Sequence, residues 1–150
     1  MEKYIEVIES AIEQLGVDIK KCRTQDPHKW HLHRGKAQVI IFLRESQVHT
    51  GDKRPTMVIV SPILPVPEEE ATRNKLYGIL LETSHKMITE SFSTAEGWVY
   101  MSTTYYLEEV NQKEAAYLLD SLSYYAQMFT TELRKGFVKE EKTEEENKEA

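Results

Sequence analysis

Cysteine occurs once in the 150 residues, at Cys22, so no disulfide can form within the chain and a small secreted scaffold stapled by bridges is excluded. A lone thiol agrees with a reducing cytoplasm, the compartment expected here. Long apolar runs are also missing. Stretches such as Val39 to Leu43 and Met57 to Val60 fall far short of the roughly 18 to 20 residues that a membrane span requires. The opening residues Met-Glu-Lys-Tyr-Ile-Glu lack the basic start, apolar stretch and small-residue cleavage site of a secretory signal. Glycine is scarce, and none of the six forms Gly-x-Gly-x-x-Gly or a Walker loop, which removes sequence support for nucleotide binding. Positive charge is in deficit. A net charge of -6 argues against nucleic acid, because nonspecific binding there rests on Lys and Arg neutralising phosphates.

What remains is an ordinary globular balance, 40% hydrophobic and 29% charged, at a length that suits one domain with one core. Half of the net negative charge lies in residues 139–150, where six glutamates oppose three lysines and no large apolar residue occurs. That segment reads as a solvated acidic tail after a domain spanning 1–138.

Ile5, Ile8, Ile12 and Leu15 recur at helical spacing, and Gly16 follows as a left-handed C-cap, so a helix is predicted over 3–15. Trp30 to His33 and Lys36 to Leu43 read as a hairpin around Arg34-Gly35, with Leu32 opposite Ala37. A loop over 44–55 and a third strand over 56–61 follow, the latter ended by Pro62 and Pro65. Pro67 and three glutamates open a second long helix to about residue 85, with Leu76, Tyr77, Leu80 and Leu81 as its stripe. Met87 to Thr94 and Trp98 to Thr104 form another antiparallel pair around a linker whose Gly97 suits a bulged hairpin. Asn111 with Glu114 resembles a capping box for a last helix carrying Leu118, Leu122, Tyr125, Phe129 and Leu133, ended by Gly136. The fold class is therefore α+β in the order αβββαββα, with an antiparallel sheet and helices packed on it.

That order resembles the type III secretion-chaperone-like fold, and more closely the YbjN-type family of bacterial sensory-transduction regulators. The resemblance is carried by Trp30 with Arg34-Gly35-Lys36-Ala37, by Val60 to Pro67, by Leu76 to Glu82 and by Ser91-Phe92-Ser93, and it covers about residues 1–135. It implies a bacterial, non-enzymatic domain that binds protein partners. Chaperones of this fold are small acidic homodimers that hold an extended client segment.

His31 and His33 alternate on one strand face, with His28, Asp26 and Cys22 upstream, so two imidazoles could reach one ion. This makes a metal- or small-molecule-binding domain centred on His28, His31 and His33 the alternative reading. No second ligand pair stands at fixed spacing, so the histidines are read as the wet face of a half-buried strand, with no metal and no other cofactor. Lys20, Lys21 and Arg23 beside Cys22 would lower its thiol pKa, yet a lone thiol without a base and pocket does not make an enzyme. Tyr117, Tyr124 and Tyr125, at helical spacing, are read as packing or dimer-face residues.

The leading expectation is a homodimeric, non-catalytic interaction module. Val39 to Leu43 and Met57 to Val60 are apolar on both alternating faces, one more than a half-wet sheet needs. Ile40 and Phe42, on the face opposite Trp30 and Leu32, form the candidate partner-binding patch unless a helix covers them. The acidic tail has no apolar face to lose. Truncation after Val138 is accordingly expected to leave the melting temperature nearly unchanged, and a drop of many degrees would show that the tail docks on the body.

Overall fold

The computed structural model describes residues 1–138, and the expected acidic tail at 139–150 lies outside the described residues. The first helix, α1, spans Glu2–Gln14 and buries Ile8, Ala11 and Ile12. Gly16, at φ +81°, takes the left-handed position beyond its end, and its N–H donates to the Glu13 carbonyl at 2.9 Å. A one-turn helix that the pattern did not announce, α2 at Ile19–Cys22, follows; the Asp18 carboxylate caps it by accepting from the Lys20 N–H at 3.1 Å.

Three antiparallel strands come next: β1 at Lys29–Arg34, β2 at Ala37–Gln47 and β3 at Lys53–Pro65. After α3, Glu70–Lys86, come β4 at Ser91–Ala95 and β5 at Trp98–Tyr106. A 3-10 turn at Leu107–Glu109 leads into α4, Gln112–Phe137. The sheet order is β1-β2-β3-β5-β4, antiparallel throughout. The α+β class and the element order thus agree with the pattern of the sequence.

Five local features depart from it. In the first hairpin Arg34 pairs with Ala37 and Leu32 with Val39, so Gly35-Lys36 is the loop and not Arg34-Gly35. Gly35 has φ +57° while Lys36 keeps a negative φ, the pattern of a type II′ turn, and Arg34 escapes the strain that the other register imposes. The slip is two residues, so each side chain keeps its expected face. The loop at 44–55 shrinks, because β2 and β3 stay paired from Ile40 opposite Val60 out to Gln47 opposite Lys53.

Pro62 and Pro65 do not end β3. Its pairing with β2 has stopped at Val60, so both prolines lie where only β5 is a neighbour, and a register shift between Pro62 and Leu64 absorbs the irregularity. Finally, β4 starts four residues later than expected, at Ser91, and Ala95 pairs directly with Trp98. The loop is then Glu96-Gly97, both at positive φ, 52° and 81°, as a type I′ turn requires. Gly136 lies inside the last turn of α4 and does not end it.

The buried face of the sheet carries Trp30, Leu32, Val39, Ile41, Met57, Ile59, Val99 and Met101, in one cluster with Ile8 and Ile12 of α1 and Leu118, Leu122 and Ala126 of α4. Each Leu or Ile buried this fully is stabilised by about 1.5–3 kcal/mol relative to exposure. The Asn111 side chain caps α4 by accepting from the Glu114 N–H at 2.8 Å, as expected. α3 meets the sheet along β4, and only its Leu76 and Leu80 are buried.

A charged clasp ties α1 to β1. Glu9 accepts from Arg23 Nε and Nη2, each at 2.8 Å, and from the indole N–H of Trp30 at 3.0 Å. The Arg23 hydrogen bond holds the Glu9 carboxyl below its ordinary value of 4.5, against a smaller opposing effect of burial. A depressed folded-state pKa stabilises above the unfolded value and ceases to do so as pH falls through the folded one. Glu9→Gln is therefore expected to destabilise the protein by about 1 kcal/mol at neutral pH. The difference from wild type should shrink as pH falls below 4.5, followed by chemical denaturation across pH 3–7. A pH-independent difference would show that the clasp works by shape and not by charge.

Candidate functional site

With α1 and α4 on one face, the side chains that alternate with the core set point the other way. Ile40 and Phe42 are among them, both half-buried. Register places Val60 directly opposite Ile40 and Val58 directly opposite Phe42. These four apolar side chains form a two-by-two block at the centre of the face. Lys29 and His31 border it on β1, and Thr104 and Ser102 on β5. Val58 is only 6% exposed although no helix crosses it from α1 or α4, because the neighbours on both adjoining strands shield it. Val58 and Val60 were within reach of the sequence, since each faces one of the two named residues once the strands are paired.

Cations rim the block. The Arg44 guanidinium lies 5.5 Å from the centroid of the Phe42 ring. Further along the same face Arg54 sits 3.7 Å over the Tyr106 ring, with ion pairs to Glu108 at 3.3 Å and Glu109 at 3.9 Å. The face is thus apolar at its centre, with arginines and glutamates together at one end.

A second apolar surface lies on α3. Leu81, expected in the buried stripe, is 73% exposed, and Ile88, just past the helix, is 97% exposed. Between α3 and β4 runs a groove of about 250 Å³ lined by Tyr77, Leu80, Leu81 and Phe92. The spacing of α3 could not reveal this, because the helix meets the sheet along one short edge strand. On α4, Tyr125 packs against Phe129, and Phe129 against Phe92. Tyr117 and Tyr124 point outward.

The histidines do not converge. His31 and His33 are exposed on the uncovered face, opposite Ile40 and Gln38, and His28 sits in the turn before β1 with its Nδ1 3.8 Å from the Asp26 carboxylate. Among the described residues no three His, Cys, Asp or Glu side chains are gathered so as to hold one ion. Cys22 corrects an expectation outright. Burial, with a smaller effect of the Asp18 charge, raises its thiol pKa; its basic neighbours do not lower it. The thiol is spent on a 3.4 Å contact to the Asp18 carbonyl. One carboxylate departs from the surface pattern: Glu90 is 5% exposed and accepts from the Ser121 hydroxyl at 2.5 Å.

No family model and no curated protein sequence matches the chain. Solved structures do. The HopA1–SchA chaperone–effector complex aligns with a TM-score of 0.57 at 10% identity, covering 85% of this chain and 93% of that one. The Yersinia pestis type III secretion chaperone SycH, in complex with a stable fragment of YscM2, aligns at 0.56 and 13%, covering 84% and 98%. The ExsC–ExsE complex aligns at 0.53 and 13%, covering 85% and 94%. At such identities the likeness is one of fold, and the five-stranded antiparallel sheet with its helices is the α+β architecture of the type III secretion-chaperone-like class.

Proposed function

We propose that the protein is a non-catalytic interaction module, chaperone-like or regulatory, that works in the cytoplasm as a homodimer and holds a segment of a partner protein. The observation that carries this reading is the block of Ile40, Phe42, Val58 and Val60 on the face that α1 and α4 leave uncovered. An apolar centre with a polar rim is the make-up of a binding surface and not of solvated sheet. An extended segment can lay alternate side chains on such a face. The fold neighbours add support, since two of them are described as a chaperone–effector complex and as a secretion chaperone with a bound fragment. The resemblance to YbjN-type regulators points to the same mode with a regulatory target. Non-catalytic action agrees with a buried thiol of raised pKa.

The second copy has its own surface. Leu81 and Ile88 are too exposed for residues of their kind, and the groove of Tyr77 and Phe92 adjoins Leu81. A two-fold contact through α3 and β4 would cover them and leave the sheet face free.

Light scattering at micromolar concentration is expected to give twice 17.5 kDa, and a monomer that persists at high concentration would sink the dimer. For the sheet face, Phe42→Asp is expected to stay folded by circular dichroism while weakening capture of the partner identified by co-purification and mass spectrometry. The expected loss is about 2 kcal/mol or more, the scale of a binding hot spot. Unfolding would instead make Phe42 a core residue, and unchanged capture would remove the face from the interface.

A further inference from the structure

At the end of the sheet where β2 and β3 part, a cavity of about 330 Å³ opens beside Pro62. Its walls come from three places. Lys36 and Gln38 enter from the first hairpin and β2, Trp98 and Tyr100 from β5, and Thr130 and Arg134 from the last turns of α4. No carboxylate lines it, in a chain whose net charge is -6.

The chemistry is that of a receptor for a negative group with an apolar stem. Arg134 is held in place by donating Nε to the Ile63 carbonyl at 3.0 Å, and its guanidinium lies 6.0 Å from the Trp98 ring centroid. Anchoring through Nε leaves the two terminal nitrogens as the fork that takes a carboxylate in bidentate fashion. Arg23, Arg34 and Arg54 each have a carboxylate partner, whereas among the described residues neither Lys36 nor Arg134 forms an ion pair. Thr130 is 4% exposed, and its hydroxyl has no hydrogen-bond partner among the described residues. Such an orphan is what a ligand or an ordered water satisfies. Trp98, 36% exposed, offers a ring face for methylene groups. The volume sits at the small end of ligand pockets, about 300–1,000 Å³, which suits one or two side chains and is tight for a nucleotide.

The geometry points to a carboxylate-anchoring site: the cavity takes an acidic side chain of an extended partner segment, its carboxylate between Arg134 and Lys36 and its stem against Trp98 and Tyr100. This rests on the protein-binding reading and gives the partner a chemical class, an acidic peptide.

The test uses the full chain and a blocked Glu-Val-Glu-Val-Glu peptide, followed by tryptophan fluorescence. Trp98 lines the cavity, while Trp30, 1% exposed, lies in the core and serves as an internal constant. A saturable change is expected, with roughly tenfold weaker binding for the peptide carrying Gln in place of Glu and for Lys36→Gln, since a charge-assisted contact is about that strong. Lys36 is exposed in a turn, so its variant should fold. Added salt should weaken the complex. Four results would overturn the site: no saturable change, equal binding of the Gln peptide, indifference to Lys36→Gln, or the same change with inorganic phosphate at equal concentration. Binding that shows only after truncation at Val138 would also overturn it, by making the chain's own acidic end the occupant. None of these touches co-purification of a partner or the Phe42→Asp result, so failure here stays distinct from failure of the protein-binding reading.

Discussion

Two central strands apolar on both faces need two covers, and the described chain supplies helix for one. Met57 and Ile59 are buried in the core, while Val58 and Val60, which alternate with them, meet Phe42, Ile40 and one another. α4, the longest element, with α1 alongside it, is committed to the first face by Leu118, Leu122 and Ala126. α3 is held at the far edge by β4. The hydrophobic effect does not distinguish the two faces; topology does, because the short connections around β1–β3 and the helical link through α3 leave no element to cross the second.

Element order and facing were legible because they depend on period. Alternation puts Trp30 with Leu32 on one side of β1 and Val39 with Ile41 on one side of β2, and the two-residue slip of the hairpin keeps these sides joined where a one-residue slip would part them. Turn details were less legible, since they depend on φ at single residues. Gly35 offered a choice of loops, and the structure takes the one that gives positive φ to glycine alone. A side chain there would also press on Gln127, a contact with α4 that no local pattern encodes, at 2.6 Å from Nε2 to an ideal Cβ. The prolines of β3 misled for a related reason. Proline forbids a ladder bond, but whether the bond is needed depends on a neighbouring strand that stops at Val60.

The candidate surface was half legible. Ile40 and Phe42 follow from alternation, and the rest of the block follows from pairing. The exposure of Leu81 does not, because helical spacing marks an apolar stripe without saying what covers it. The cavity at Lys36 and Arg134 was beyond reach for another reason. It joins a turn, a strand and a helix end that lie far apart in the chain and meet only through tertiary packing.

Both borders of the sheet are partly occupied. On the outer side of β1, Arg23 already bridges Trp30, and the Thr24 hydroxyl donates to the Lys29 carbonyl at 2.9 Å, so incoming backbone meets an edge that is partly occupied. β4, with the small side chains of Ser91, Ser93 and Ala95, is held in a similar way by α3, whose Ser84 hydroxyl accepts from the Phe92 N–H at 3.0 Å. An open border is a template for another strand, and a side chain that already satisfies its backbone blunts it. A few residues before the first strand, and one serine near the end of α3, thereby take up backbone groups that strand-on-strand growth would need.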